Sequence, residues 1–244
     1  MVVLNKTEFS MDESKGIPAF ITFTGADQFS DIMGMLELSE QYPIEWGLLF
    51  SPDRQGIEGQ NRYAPLSFFR DLVSVEMSFS AHLCGGDAKS VMQHGNSKHD
   101  EFLAANFERA QINTAKVVDL DLDVIALWAR KTEISAIVQS RDSDTFPTDY
   151  RVEWLYDASG GRGLLPENWP AAHSAKRRFG YAGGLNPKNV ATAVAAIGRR
   201  ADSYYLDMET GVRDANDRFD LALCRKVCEA VYGQPKPQAF PYVA

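Results

Sequence analysis

Apolar and polar positions along the chain alternate between two periods. Short apolar runs recur, and between them lie longer stretches in which apolar residues return every three or four positions. The runs are "AFITFT" (19–24), "IEWGLLF" (44–50), "SVEMSFSAHL" (74–83), "AQINTA" (110–115), "ISAIVQS" (134–140), "VEWLYD" (152–157), "FGYAG" (179–183) and "DSYYLD" (202–207). Each reads as a strand. Helical patterns fill most of the intervals, as in "DQFSDIMGMLELSEQ", "DVIALWARKT", "NVATAVAAIGRR" and the closing "RFDLALCRKVCEAVY". Regular βα alternation implies parallel strands with helices outside, and eight units predict an α/β fold of the (β/α)8 (TIM) barrel type. One interval departs from the rule: "RDSDTFPTDY", after Ser140, is too short and turn-rich for a full helix, so the fifth helix is expected to be missing or shortened. A doubly wound open sheet fits the same alternation, but no G-x-G-x-x-G follows the first strand. The expectation is one barrel domain over residues 1–244, with irregular termini at 1–16 and 234–244.

Composition narrows the partners. A formal net charge of -8 argues against nucleic acid or an anionic membrane surface. No apolar run of about 18 residues is present to span a bilayer. "MVVLNKTEFSMDESKG" has no basic flank and apolar centre, so it does not read as a secretory signal. The three cysteines, Cys84, Cys224 and Cys228, form no C-x-x-C pair; the last two, four apart on a helix, read as core-facing thiols. Cytoplasm is the expected compartment, with no metal or cofactor; the oligomeric state is open.

The chemistry is concentrated late in the chain. In "YAGGLNPKNV" a strand runs into Gly183-Gly184-Leu185, and Asn186 with Pro187 reads as the cap and first position of a helix. Free amides on a glycine turn and at a helix start attract anions. The alternative is a tight βα turn and nothing more. "DMETGVRD" (207–214) sets a second glycine turn at the end of the eighth strand. In a barrel, the loops after strands seven and eight often hold phosphate. Asp207, Glu209, Thr210 and Gly211 therefore join Gly183, Gly184, Leu185 and Asn186 as candidate phosphate-binding residues.

"AGGLNPKNV" followed by "DMETGVRD" resembles the C-terminal signature of the phosphoribosylanthranilate isomerase family, G-G-L-N-P-x-N-V then D-x-S-S-G-V-E. "VEWLYDASGGRG" is similar to its sixth strand and loop, "EWGLLFSPDRQG" with "NRYAP" to its second, and "TFTGADQFSD" lies without a gap over K-x-C-G-[IL]-T-x-x-E-D. The similarity is strongest over 152–213 and weak over 75–150. It implies a barrel acting on a phosphorylated small molecule by an Amadori rearrangement, in which an aminoaldose phosphate opens its ring and becomes an aminoketose phosphate. It also implies an acid on the sixth strand, and Asp157 matches that position. The reading without chemistry makes Asp157 a turn carboxylate before Ser159-Gly160-Gly161.

Two departures stand out. The family's catalytic cysteine falls on Thr24 and its nearby lysine on Thr22, and a threonine hydroxyl is far too weak a base by itself. Substitutes from the sequence are Glu45, which shares strand parity with Gly47 and Leu49, and His82 or Cys84 at the end of the third strand. Glu209 stands where the family has a small serine beside the phosphate and would repel the anion unless neutralised. Arg213 offers a partner to Glu209 or to the ligand, and Arg54 and Arg62, in the long loop after the second strand, are further candidates for an acidic substrate group. Three readings follow: an isomerase-like enzyme with Asp157 as acid and a relocated base, a catalytically inactive barrel that binds or senses a phosphorylated metabolite, or a structural role alone.

Overall fold

The computed structural model describes residues 16–114, 120–159, 162–174 and 178–235. The expected irregular termini therefore lie almost entirely outside the described residues, and so do Gly160 and Gly161. Eight strands, β1 (Ile21–Thr24), β2 (Ile44–Phe50), β3 (Phe79–Leu83), β4 (Arg109–Ile112), β5 (Ser135–Ser140), β6 (Glu153–Tyr156), β7 (Phe179–Tyr181) and β8 (Tyr204–Met208), form a closed barrel in chain order. All are parallel, and β8 pairs with β1 to complete the ring. Each falls within or across one of the apolar runs.

Helices α1 (Ile32–Gln41), α2 (Leu66–Val73), α3 (Gly86–His94), α4 (Asp100–Asn106), α5 (Leu122–Thr132), α6 (Val190–Ile197) and α7 (Leu221–Tyr232) lie between and after the strands. The outward strand residues Ile21, Phe23, Trp46, Leu48 and Phe50 pack with helix residues such as Met35, Leu38, Phe69 and Val227 in one continuous core. Cys224 and Cys228 are fully buried in that core. Asp31, Asp121 and Asp220 cap α1, α5 and α7 through their side chains, as short polar residues do at helix starts.

The fifth helix is absent: residues 141–152 form none. The sixth interval, between β6 and β7, also lacks a helix among the described residues, which the sequence pattern did not announce. Pro147, Pro166 and Pro170 interrupt these stretches and remove amide donors that a helix needs. Aromatic side chains take the place of the missing helices. Phe146 packs on Phe179 and Tyr181, at ring-centroid distances of 4.6 and 5.4 Å, and Trp169 packs on Tyr156 and Tyr181 at 6.0 and 5.8 Å.

The start of α6 differs in detail from expectation. The regular helix begins at Val190 after Asn189, not at Pro187. Asn186 nonetheless organises the entry turn: its Oδ1 accepts from the Lys188 N–H at 2.9 Å, and its carbonyl accepts from Val190 at 3.0 Å.

The inside of the barrel is polar. Inward positions alternate along each strand, and an apolar patch of Ile137, Leu155, Ala182 and Tyr205 fills only part of the interior. Near the N-terminal ends of the strands, Arg109 on β4 donates to Glu45 at 2.9 and 3.0 Å and reaches Glu153 at 2.8 Å. Thr22 donates to Glu45 at 2.8 Å, and the guanidinium lies 4.2 Å from the Tyr205 ring centroid. This ion cluster forms the floor.

Candidate active site

A cavity of about 660 Å³ opens at the opposite face, where the C-terminal ends of the strands gather. Asp157, Gly183, Gly184, Leu185 and Asn186 line one side. Asp207, Glu209, Thr210 and Gly211 line the next, and Arg54, Arg62, His82 and Cys84 complete the wall from β2 and β3. The sequence candidates thus converge on one site with three exceptions: Thr24, Glu45 and Arg213 do not line it.

Thr24 lies directly beneath. Its hydroxyl donates to Asp207 Oδ1 at 2.7 Å, across the β1–β8 seam that closes the barrel. Asp207 is only 8% exposed, and burial pushes its carboxyl up to about 7; the Thr24 hydrogen bond opposes this, while the charges of Glu209, Asp157 and Glu45 add to it. A carboxyl that titrates near neutrality can take or give a proton at working pH. The sequence placed Asp207 among the anion-binding residues. Its acid–base character depends on burial and on neighbouring carboxylates distant in the chain.

Asp157 extends from β6 at 5% exposure. Its Oδ1 accepts from the Ser159 N–H at 3.0 Å and the Ser159 hydroxyl at 2.7 Å. The turn-carboxylate geometry is therefore present, within the cavity wall.

His82 is 2% exposed, with Nε2 3.2 Å from the Ser80 hydroxyl. Burial and, more weakly, Arg109 lower its pKa to about 4, against the opposing influence of Glu45, so the imidazole is neutral. Burial pushes the Cys84 thiol up to about 11, and Asn113 donates to its sulfur at 3.1 Å. A thiol held protonated in this way is a poor base. Glu45 points inward as its parity predicts, but at the floor, where Arg109 and Thr22 occupy its oxygens.

Arg213 pairs neither with Glu209 nor with the cavity. It is 8% exposed and donates to the Gly25 carbonyl at 2.6 Å, to Asp27 at 2.9 Å and to the Asp217 side chain at 3.0 Å. Arg62 takes the role instead, contacting Glu209 at 2.5 Å, Asp217 at 2.8 Å and the Thr210 hydroxyl at 3.2 Å. The long β2–α2 loop is thereby fastened to the β8–α7 loop. Arg54 donates to the Tyr63 hydroxyl at 3.0 Å and pairs with no carboxylate among the described residues.

The glycine turns are shaped first by close packing. Gly183 and Gly184 have φ of 109° and 63°, which favour glycine. A Cβ on Gly184 would lie 2.8 Å from the Leu164 carbonyl carbon, and one on Gly211 would strike the Leu185 carbonyl. The neighbouring chain thus accounts for these glycines without a ligand. Their amides remain available: among the described residues, the N–H groups of Gly184, Leu185, Thr210 and Gly211 donate to no acceptor.

Fold and site together define a (β/α)8 barrel with an acidic, loop-covered cavity at the C-terminal ends of its strands. In fold it is like solved phosphoribosylanthranilate isomerases. The structure from Thermus thermophilus matches with a TM-score of 0.58 and 16% identity over 87% of this chain and 98% of that one. TrpF from Jonesia denitrificans matches with a TM-score of 0.60 and 16% identity over 88% and 97% of the two chains. A phosphoribosylanthranilate isomerase in complex with reduced 1-(o-carboxyphenylamino)-1-deoxyribulose 5-phosphate matches with a TM-score of 0.56 and 13% identity over 88% and 98%. No protein-family model matches the chain, and no curated protein sequence matches it significantly. No helix among the described residues is long and apolar enough to cross a membrane.

Proposed function

We propose that the chain is an isomerase-like enzyme acting on a phosphorylated aminosugar, with Asp157 as general acid and Asp207 as the relocated base. The observation that carries this reading is the Thr24–Asp207 contact. The residue at the position of the family's cysteine is not itself basic, but it fixes and tunes a carboxyl that is. In an aminoaldose phosphate, the nitrogen lone pair forms the C1=N bond as the C1–O ring bond breaks. Asp157 delivers a proton to the departing ring oxygen. Asp207 then removes the C2 proton, and the C–H electrons form the C1=C2 bond while the iminium nitrogen recovers its lone pair. Proton return to C1 and loss of the C2 hydroxyl proton yield the ketose. The amides at Gly184–Leu185 and Thr210–Gly211, which donate to no acceptor among the described residues, suit the phosphate.

Thermal unfolding tests the ligand class. The reduced carboxyphenylamino-deoxyribulose phosphate bound by the similar structure is expected to raise Tm, by about 2.7 kcal/mol of stabilisation at 100 times its Kd, well beyond an equal concentration of inorganic phosphate. The absence of any shift up to millimolar concentration, with this compound and with the same compound lacking its carboxyl group, would contradict the assignment.

A further inference from the structure

We propose that the site selects an aminosugar phosphate with a single anionic group, one whose nitrogen substituent carries no carboxylate. This inference rests on the phosphosugar reading and deepens it.

The charges inside the cavity are unevenly matched. Asp207, Glu209 and Asp217 line it, beside Asp157 as the proton donor, against two guanidinium groups, Arg54 and Arg62, while His82 is neutral. Arg62 is largely committed: Nε and one N–H of Nη2 bond Asp217, and Nη1 bonds Glu209 and the Thr210 hydroxyl, which leaves one of its five N–H donors. Both side chains of the Arg62–Glu209 pair are largely shielded, at 27% and 35% exposure, so the pair is part of the cavity wall. Among the described residues Arg54 pairs with no carboxylate, and it sits on the exposed β2–α2 loop.

Pairing with Arg62 does not erase the field of Glu209. Its charge still raises the proton affinity of Asp207 and of the hydrogen-bonded Cys84–Tyr63 pair, where the Arg54 charge opposes it. The neutral glycine turns can hold one phosphate through amides, without a cationic side chain. A second anion on the substituent would enter a cavity whose lining acids outnumber its lining cations and where Arg62 is already engaged by two carboxylates. A neutral or cationic substituent meets no such penalty, and Gln111, Asn113 and Gln139 supply uncharged polar contacts along the same wall.

Calorimetric titration of the whole chain with two ligands tests this. One is reduced 1-(o-carboxyphenylamino)-1-deoxyribulose 5-phosphate, and the other is the same compound without its carboxyl group. The uncarboxylated compound is expected to bind at least about tenfold tighter, a gap that narrows as salt screens the acids. Glu209→Gln, which removes one lining charge and the charged partner of Arg62 Nη1, is expected to shrink or reverse the preference. Equal or tighter binding of the carboxylated compound by the unsubstituted chain would overturn this inference and leave the phosphosugar reading standing. A preference that Glu209→Gln leaves unchanged would overturn the assignment to Glu209. Failure of both compounds to bind would overturn inference and reading together.

Discussion

Asp207→Asn is expected to abolish turnover and at the same time to stabilise the protein above neutral pH. The loss of turnover follows from removing the base, an effect of about 10²–10⁴-fold for a positioned general base. The gain in stability follows from linkage. The folded-state pKa of Asp207, about 7, lies above the ordinary aspartate value of 3.8, so its favourable contribution is fully present below pH 3.8 and is lost as pH rises through 7. The cost of ionising it in place reaches about 4 kcal/mol above that window, at about 1.4 kcal/mol per unit. Activity and stability should therefore move in opposite directions: between pH 6 and 8, kcat/KM rises as the base ionises while Tm falls. Rate and Tm profiles of the two proteins check this. A Tm difference that does not grow with pH would mean that Asp207 is not the buried acid described here.

The second large effect is expected at the floor of the barrel. Glu45→Ala leaves Arg109 with Glu153 alone and exposes the Thr22 hydroxyl to an empty space. Breaking a buried pair from one side costs about 3–5 kcal/mol, because the remaining charge stays desolvated. Chemical denaturation should show that loss, with a fall in Tm on the order of 10 °C. Ligand binding by the fraction that stays folded should change little, since Glu45 does not line the cavity. A mild effect on stability with a complete loss of turnover would instead place Glu45 in the chemistry.

Much of the architecture was legible because each strand's outward face meets a helix or an aromatic side chain and so reads as an apolar run. The missing fifth helix was legible from "RDSDTFPTDY", whereas the sixth interval is long enough for a helix and is filled instead by a loop carrying Trp169. The site was legible as a set of positions but not as a set of roles. Strand parity correctly sends Glu45 inward, yet parity does not say which layer it reaches; Arg109 and Glu153, more than sixty residues away, hold it at the floor. Arg213 and Arg62 exchange their expected partners for the same reason. Asp27, fully buried and bound to the Phe219 N–H, claims Arg213, which leaves Glu209 to the loop arginine. Thr24 looked like the loss of a base. Its contact with Asp207 forms only when the eighth strand closes against the first, an event that no local pattern records.

The most direct test of the central claim is conversion of phosphoribosylanthranilate, or its uncarboxylated analogue, by the purified chain and by Asp157→Asn and Asp207→Asn, each verified as folded. The unsubstituted chain is expected to give ketose phosphate from at least one of the two substrates, and both variants to lose turnover with ligand binding retained. Turnover that survives in both variants would contradict the acid–base assignment, and binding without turnover by the unsubstituted chain would make the barrel a binding protein instead of an enzyme.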